Sequence, residues 1–195
     1  MLVRPEEVPG SDAPTGAPGI VSTLASEFLG TYMLVLGVGL NVIRGSQTPV
    51  WSIAAGLMCM IFALGNVSGA HFNRAFTVAI LASCHACISV GDACMYIPVQ
   101  IAGDISEAFP YELMENGKSF ALGSGKGFNW TQAAVAEVVF TFLLCYDVLS
   151  VATTKAPLSE YFGLAIGSCV TAGGYAVSLL SSTSRNPRRR KSPTP

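Results

Sequence analysis

The sequence predicts an all-α, polytopic membrane fold with about five spanning helices and one re-entrant half-helix. Three observations carry this. Of 195 residues, 51% are hydrophobic and only 12% charged, with a mean hydropathy of +0.51; an average soluble domain is roughly 25% charged. The apolar residues are gathered rather than mixed, because 45–73, 75–91 and 161–184 hold no Asp, Glu, Lys or Arg. One apolar stretch, 75–86, is too short to cross a bilayer, which takes about 20 residues, and is either a buried core helix or a re-entrant half-helix. Backbone that breaks at membrane depth is tolerated only where protein buries it or water wets it, so a half-helix there marks a transport path. The composition argues against an ordinary water-soluble enzyme.

Residues 1–19 hold four prolines, three glycines and three acids without an apolar run, and read as a disordered, cytosolic leader. Ile20 to Val42 forms a first span interrupted by one acid, Glu27. After a turn at 44–49, Val50 to Gly65 forms a second span, followed by a polar turn from Asn66 to Arg74 and the half-helix Ala75 to Ala86. Ile88 to Met114 is long enough for a third span, although Asp92, Asp104, Glu107 and Glu112 leave only 93–103 uncharged. Glu115 to Asn129, rich in glycine, is a flexible loop. A fourth span runs from Thr131 to about Val151 with Glu137 and Asp147 inside, and a fifth from Leu158 to Leu180.

The net charge of −1 conceals a basic end: Arg185, Arg188, Arg189, Arg190 and Lys191 supply five of the eleven basic residues. The remaining body is acidic on balance, so nothing in it suggests a nucleic-acid partner. All six cysteines lie in apolar segments and read as small buried hydrophobes. Cys84, His85 and Cys87 have the spacing of a metal cluster, but a second ligand pair is missing, and no metal or other cofactor is expected.

The chain carries an internal repeat. Glu27-x-x-x-Thr31 returns 110 residues later as Glu137-x-x-x-Thr141, and Asn73 has a counterpart 113 residues on, at Asn186. Each half then reads as span, span, polar turn with Asn. Three spans per half place the halves in opposite orientations, the inverted-repeat plan of many transporters. The expected organisation is a leader 1–19, a membrane channel domain 20–184 (first repeat 20–114, partial second repeat 131–187) and a basic tail 185–195.

Ser68-Gly69-Ala70-His71-Phe72-Asn73-Arg74-Ala75-Phe76-Thr77 closely resembles the first signature box of the aquaporin and aquaglyceroporin family, Ser-Gly-Ala-His-x-Asn-Pro-Ala-Val-Thr, agreeing at seven positions. The resemblance extends to Glu27 with Gly30 and Thr31, to Glu137 with Thr141, to the glycine-flanked run 163–167 and to Asn186-Pro187. It implies two half-helices that meet at the midplane, each begun by an Asn. That Asn caps its half-helix through the side-chain carbonyl and turns its amide NH₂ into the pore, while the facing helix ends repel cations. Asn73, Arg74 and Ala75 would form one box and Asn186 with Pro187 the other; Glu27, Glu137 and His71 would anchor the loops, the two glutamates as buried acceptors for loop N–H groups. By offset from the boxes, the selectivity filter falls on Ile53, Gly174, Thr183 and Arg189, whose first two members, aliphatic and small, would widen it toward glycerol or urea. A homotetramer in a lipid bilayer, passing water or small neutral solutes without covalent chemistry, is what the family implies.

Two departures stand out. Arg74 occupies the position of the family's Pro, which suits a first helical turn because its missing N–H is not needed there. A cation at a helix N-terminus costs roughly 0.3–1 kcal/mol, and one at the bilayer centre roughly 2.5–3.5 kcal/mol. Arg74 either points into the pore or reaches an acid, Glu27 or Glu137. Secondly, Arg188 follows Asn186-Pro187 where Ala belongs, and the expected last half-helix and sixth span are missing. Five spans also leave the basic tail outside, against the positive-inside rule. Either the third span is false or the chain is a truncated relative with a misjoined end, which the missing segments favour. The function expected is a passive channel; the alternative is a non-conducting member that acts only by assembling with full-length channels. Asn129-Trp130-Thr131, a glycosylation triplet, fits a loop the family places outside.

Overall fold

Residues 18–83, 88–106, 110, 129–152 and 161–177 are described by the computed structural model, and every regular element among them is a helix. In chain order these are α1 (Ile20–Arg44), α2 (Pro49–Ser68), α3 (Arg74–Ala82), α4 (Val90–Ser106), α5 (Trp130–Ala152) and α6 (Phe162–Val177). Residues 1–17 of the leader, the segment 84–87 with Cys84, His85 and Cys87, and everything after Val177, including Thr183, Asn186, Pro187 and Arg189, lie outside the described residues.

The helix ends follow from local chemistry. α1 stops at Gly45, whose φ of 62° is left-handed. The Gly45 N–H donates to Val42 O (3.1 Å) and the Ser46 N–H to Asn41 O (3.0 Å), a Schellman closure. α2 opens on Pro49, where a missing N–H is harmless, and closes at Gly69, φ 85°. That closure corrects the sequence reading, since Asn66, Val67 and Ser68 belong to α2 rather than to the polar turn: Gly69 is the first residue to adopt the left-handed conformation that stops the helix. α4 starts at Val90, two residues later than expected, because Ser89 Oγ accepts the Asp92 N–H (3.0 Å) and donates to Asp92 Oδ2 (2.8 Å). α5 opens on a reciprocal Asn129–Gln132 cap, with side-chain to backbone bonds of 2.8 and 2.9 Å. The triplet asparagine therefore spends its carbonyl on capping a helix.

Lengths separate two kinds of helix. α1, α2 and α5 are long and apolar enough to cross a membrane, and α2, with 20 residues, is about 30 Å long. α3, with nine, reaches only about 13 Å and cannot. α2 packs against α1 and α6, α1 also against α4, and α3 lies against α4 and α5. The core joins Leu57 and Ile61 of α2, Phe76 and Ile80 of α3, Val148 of α5 and Phe162 and Ile166 of α6. α2 and α6 run antiparallel at close range: a Cβ added at Gly163, Gly167 or Gly174 would collide with Phe62, Met58 or Val50 in turn. The outward faces stay apolar, with Trp51, Phe62, Val138 and Phe142 all more than half exposed, a surface matched to hydrocarbon rather than water.

Candidate functional site

Where α2 ends, the chain turns back on itself before α3 begins. Ala70 (φ 54°) and Phe72 (φ 48°) both take left-handed backbone conformations that cost energy in a residue with a Cβ, so something must hold them. Glu27, in the N-terminal third of α1 and fully buried, does so. Its Oε1 accepts the His71 N–H at 3.0 Å and its Oε2 the Phe72 N–H at 2.8 Å. These are consecutive loop donors taken by one carboxylate, and hydrogen bonds to a charged acceptor are about twice as strong as neutral ones. One turn further along α1, Gly30 leaves room for the Phe72 ring, which occupies the place a Cβ would fill.

The carboxylate is itself supported from α4. Gln100 Nε2 donates to Glu27 Oε2 (2.9 Å) and to Thr77 Oγ1 (3.1 Å). Thr77 Oγ1 donates to the Asn73 carbonyl (3.2 Å), and His71 Nδ1 lies 3.1 Å from the same hydroxyl. The Tyr96 hydroxyl donates to Ser68 O (2.8 Å) while its ring meets His71 edge-on at 5.2 Å. Ser68 Oγ takes the Ala70 N–H (3.2 Å) and bonds Ser26 Oγ (3.1 Å). Glu27, His71, Thr77 and Gln100 are all buried, so this network stands in for water around a loop the membrane cannot solvate.

At the end of this loop sits Asn73. Its Oδ1 accepts the Ala75 N–H at 2.8 Å, capping α3, and the residue is half-buried. Its Nδ2 donates to none of the described residues in the structure, leaving two N–H donors beside a helix N-terminus, where the backbone dipoles are positive. Arg74, the first residue of α3, forms an ion pair with Asp104 of α4. Neither Glu27 nor Glu137 is its partner, because α4 lies against α3 and presents Asp104 there.

The remaining predicted residues are not gathered at this point. Glu137 lies at an exposed position on α5, not buried as its repeat partner Glu27 is; the segment expected to pair with it is outside the described residues. Ile53 is half-buried on α2, and Gly174 faces α2 at Val50. Sequence reasoning missed Tyr96, Gln100 and Asp104. A signal existed: Ala93, Tyr96, Gln100 and Gly103 form the buried stripe of α4 at helical spacing, and an amide in such a stripe needs partners.

A short capped helix, tied by a buried glutamate to a helix long and apolar enough to span a membrane, is the arrangement of a polytopic membrane protein with a re-entrant loop. The chain belongs to the major intrinsic protein family, whose sequence model matches residues 17–194. It is thus an integral, multi-pass membrane protein of a family of channels rather than enzymes. Among relatives, the NIP4-1 protein of Arabidopsis thaliana is 29% identical over 212 residues, 99% of this chain and 74% of that protein. Aquaporin NIP1-1 of the same plant is 32% identical over 188 residues, 87% of this chain and 62% of the relative. In fold, the chain is similar to the aquaglyceroporin from Plasmodium falciparum, with a TM-score of 0.70 at 18% identity over 84% of this chain and 75% of that one. The chain thus spans 62–75% of the length of these proteins.

Proposed function

We propose that the chain forms a passive channel for water or small neutral solutes such as glycerol. The observation that carries this is Asn73: its carbonyl is committed to capping α3 and its amide NH₂ is left as a donor at the tip of a half-helix. A solute that hydrogen-bonds through oxygen, as water and polyols do, accepts from that amide in single file. The same helix end repels cations, which limits the path to neutral species. Asn186 and Pro187 would supply the second box from the other half, and Thr183 and Arg189 the filter with Ile53 and Gly174. The likeness to aquaporins and to an aquaglyceroporin supports both solute classes. A homotetramer is part of the same reading.

The test is stopped-flow light scattering of proteoliposomes under osmotic gradients of sucrose and of glycerol. The sucrose gradient reads water and the glycerol gradient reads glycerol; permeability to at least one of these two above that of empty vesicles is expected. Permeability equal to empty vesicles for both, with a change only when a full-length channel is co-reconstituted, refutes independent conduction and leaves the assembly role.

A further inference from the structure

The Arg74–Asp104 ion pair has no part in the capping and anchoring just described, and it sits at the same helix end as Asn73. Arg74 brings a permanent positive charge to a terminus that is already positive. Its side chain is 53% exposed and that of Asp104 27%, so the pair borders open space rather than being sealed in the core. Asp104 owes its position to close packing one residue earlier. At Gly103 an added Cβ would lie 3.0 Å from Phe28 O and 3.2 Å from Thr31 Cβ, so a side chain there would press on α1 and glycine lets the two helices approach closely. α4 then runs along α3 with Gln100 reaching Glu27 and, one turn on, Asp104 reaching Arg74.

We infer that Asp104 is a specificity-determining residue: by pairing with Arg74 it cancels the charge beside Asn73 and keeps the path selective for neutral solutes. The inference deepens the channel reading and rests on it for its consequence for flux. Without Asp104, the guanidinium and the helix end together form an uncompensated cationic site bordered by low-dielectric walls, which concentrates small anions. Selection against cations persists; selection against anions is what fails.

The experiment compares the full chain with Asp104→Asn, Arg74→Pro and the double variant in proteoliposomes, reading water and glycerol flux, nitrate flux by an entrapped anion-sensitive dye, and Tm in detergent. Asp104→Asn is expected to raise nitrate flux roughly tenfold, the low end of what a focused charge does to local counter-ion concentration, and to lower Tm. Adding Arg74→Pro should return both to the parent values, which a merely misfolded variant would not do. Where the parent conducts a neutral solute, nitrate flux unchanged in Asp104→Asn overturns the inference. Where the parent conducts neither water nor glycerol, the channel reading fails on its own count. The pair is then judged on Tm: no loss in Asp104→Asn, or no recovery in the double variant, overturns the coupling.

Discussion

Replacing Glu27 by glutamine tests the anchoring of the re-entrant loop with little change of shape. The carboxylate accepts three hydrogen bonds, from His71 N, Phe72 N and Gln100 Nε2, at 3.0, 2.8 and 2.9 Å, in a fully buried position. An amide has one accepting oxygen. Oε2 serves two donors and Oε1 one, so the variant keeps its oxygen toward Phe72 and Gln100 and turns its NH₂ toward the His71 N–H. One buried donor is then left facing another, at a cost of about 1–3 kcal/mol, and the two surviving bonds fall from charge-assisted to neutral, losing about 1 kcal/mol each. Burying a neutral amide instead of a carboxylate recovers part of this. The net loss is about 2–3 kcal/mol. For a chain of this size each kcal/mol lowers Tm by about 2–4 °C, so a fall of about 4–12 °C is expected. Tm of purified protein in detergent, measured beside solute flux, checks it. An unchanged Tm together with unchanged flux would refute the view that this carboxylate holds Ala70 and Phe72 in their left-handed conformations.

Asn73→Asp keeps the oxygen that caps α3 and removes the NH₂, so Tm should hold while water and glycerol flux fall; Asn73→Ala loses the 2.8 Å cap as well and should cost about 1 kcal/mol in thermal unfolding. Tyr96→Phe deletes the 2.8 Å bond to Ser68 O and should lower stability by about 0.5–1.5 kcal/mol with flux little changed. Gly30→Ala places a methyl group in the Phe72 ring; the overpacking of about 1–3 kcal/mol exceeds the gain of about 1 kcal/mol in helix propensity, so a lower Tm is expected.

What can be read from residues alone here is whatever short-range chemistry determines. Ser68 to Thr77 is a contiguous motif whose helix start depends on one side chain two residues from its backbone donor, so the resemblance of that motif to the family's signature box is enough to imply Asn73 as the cap of a short helix. The scarcity of charge marks the membrane and most of its spans, and the repeat of Glu27 at Glu137 marks the acid as special. Partners across helices are a different matter. Gln100 is 73 positions from Glu27 and Asp104 is 30 from Arg74, and no local periodicity states which face of α4 meets α1 and which meets α3. That is decided by close packing at Gly103 and by the requirement that every buried polar atom of the returning loop find a partner where water is excluded. The sequence by itself determined a membrane protein with a capped half-helix; only the tertiary structure decided that Asp104 takes Arg74 and that Gln100 completes the hold on the loop, because hydrogen-bond satisfaction at membrane depth is a property of packed helices, not of any one of them.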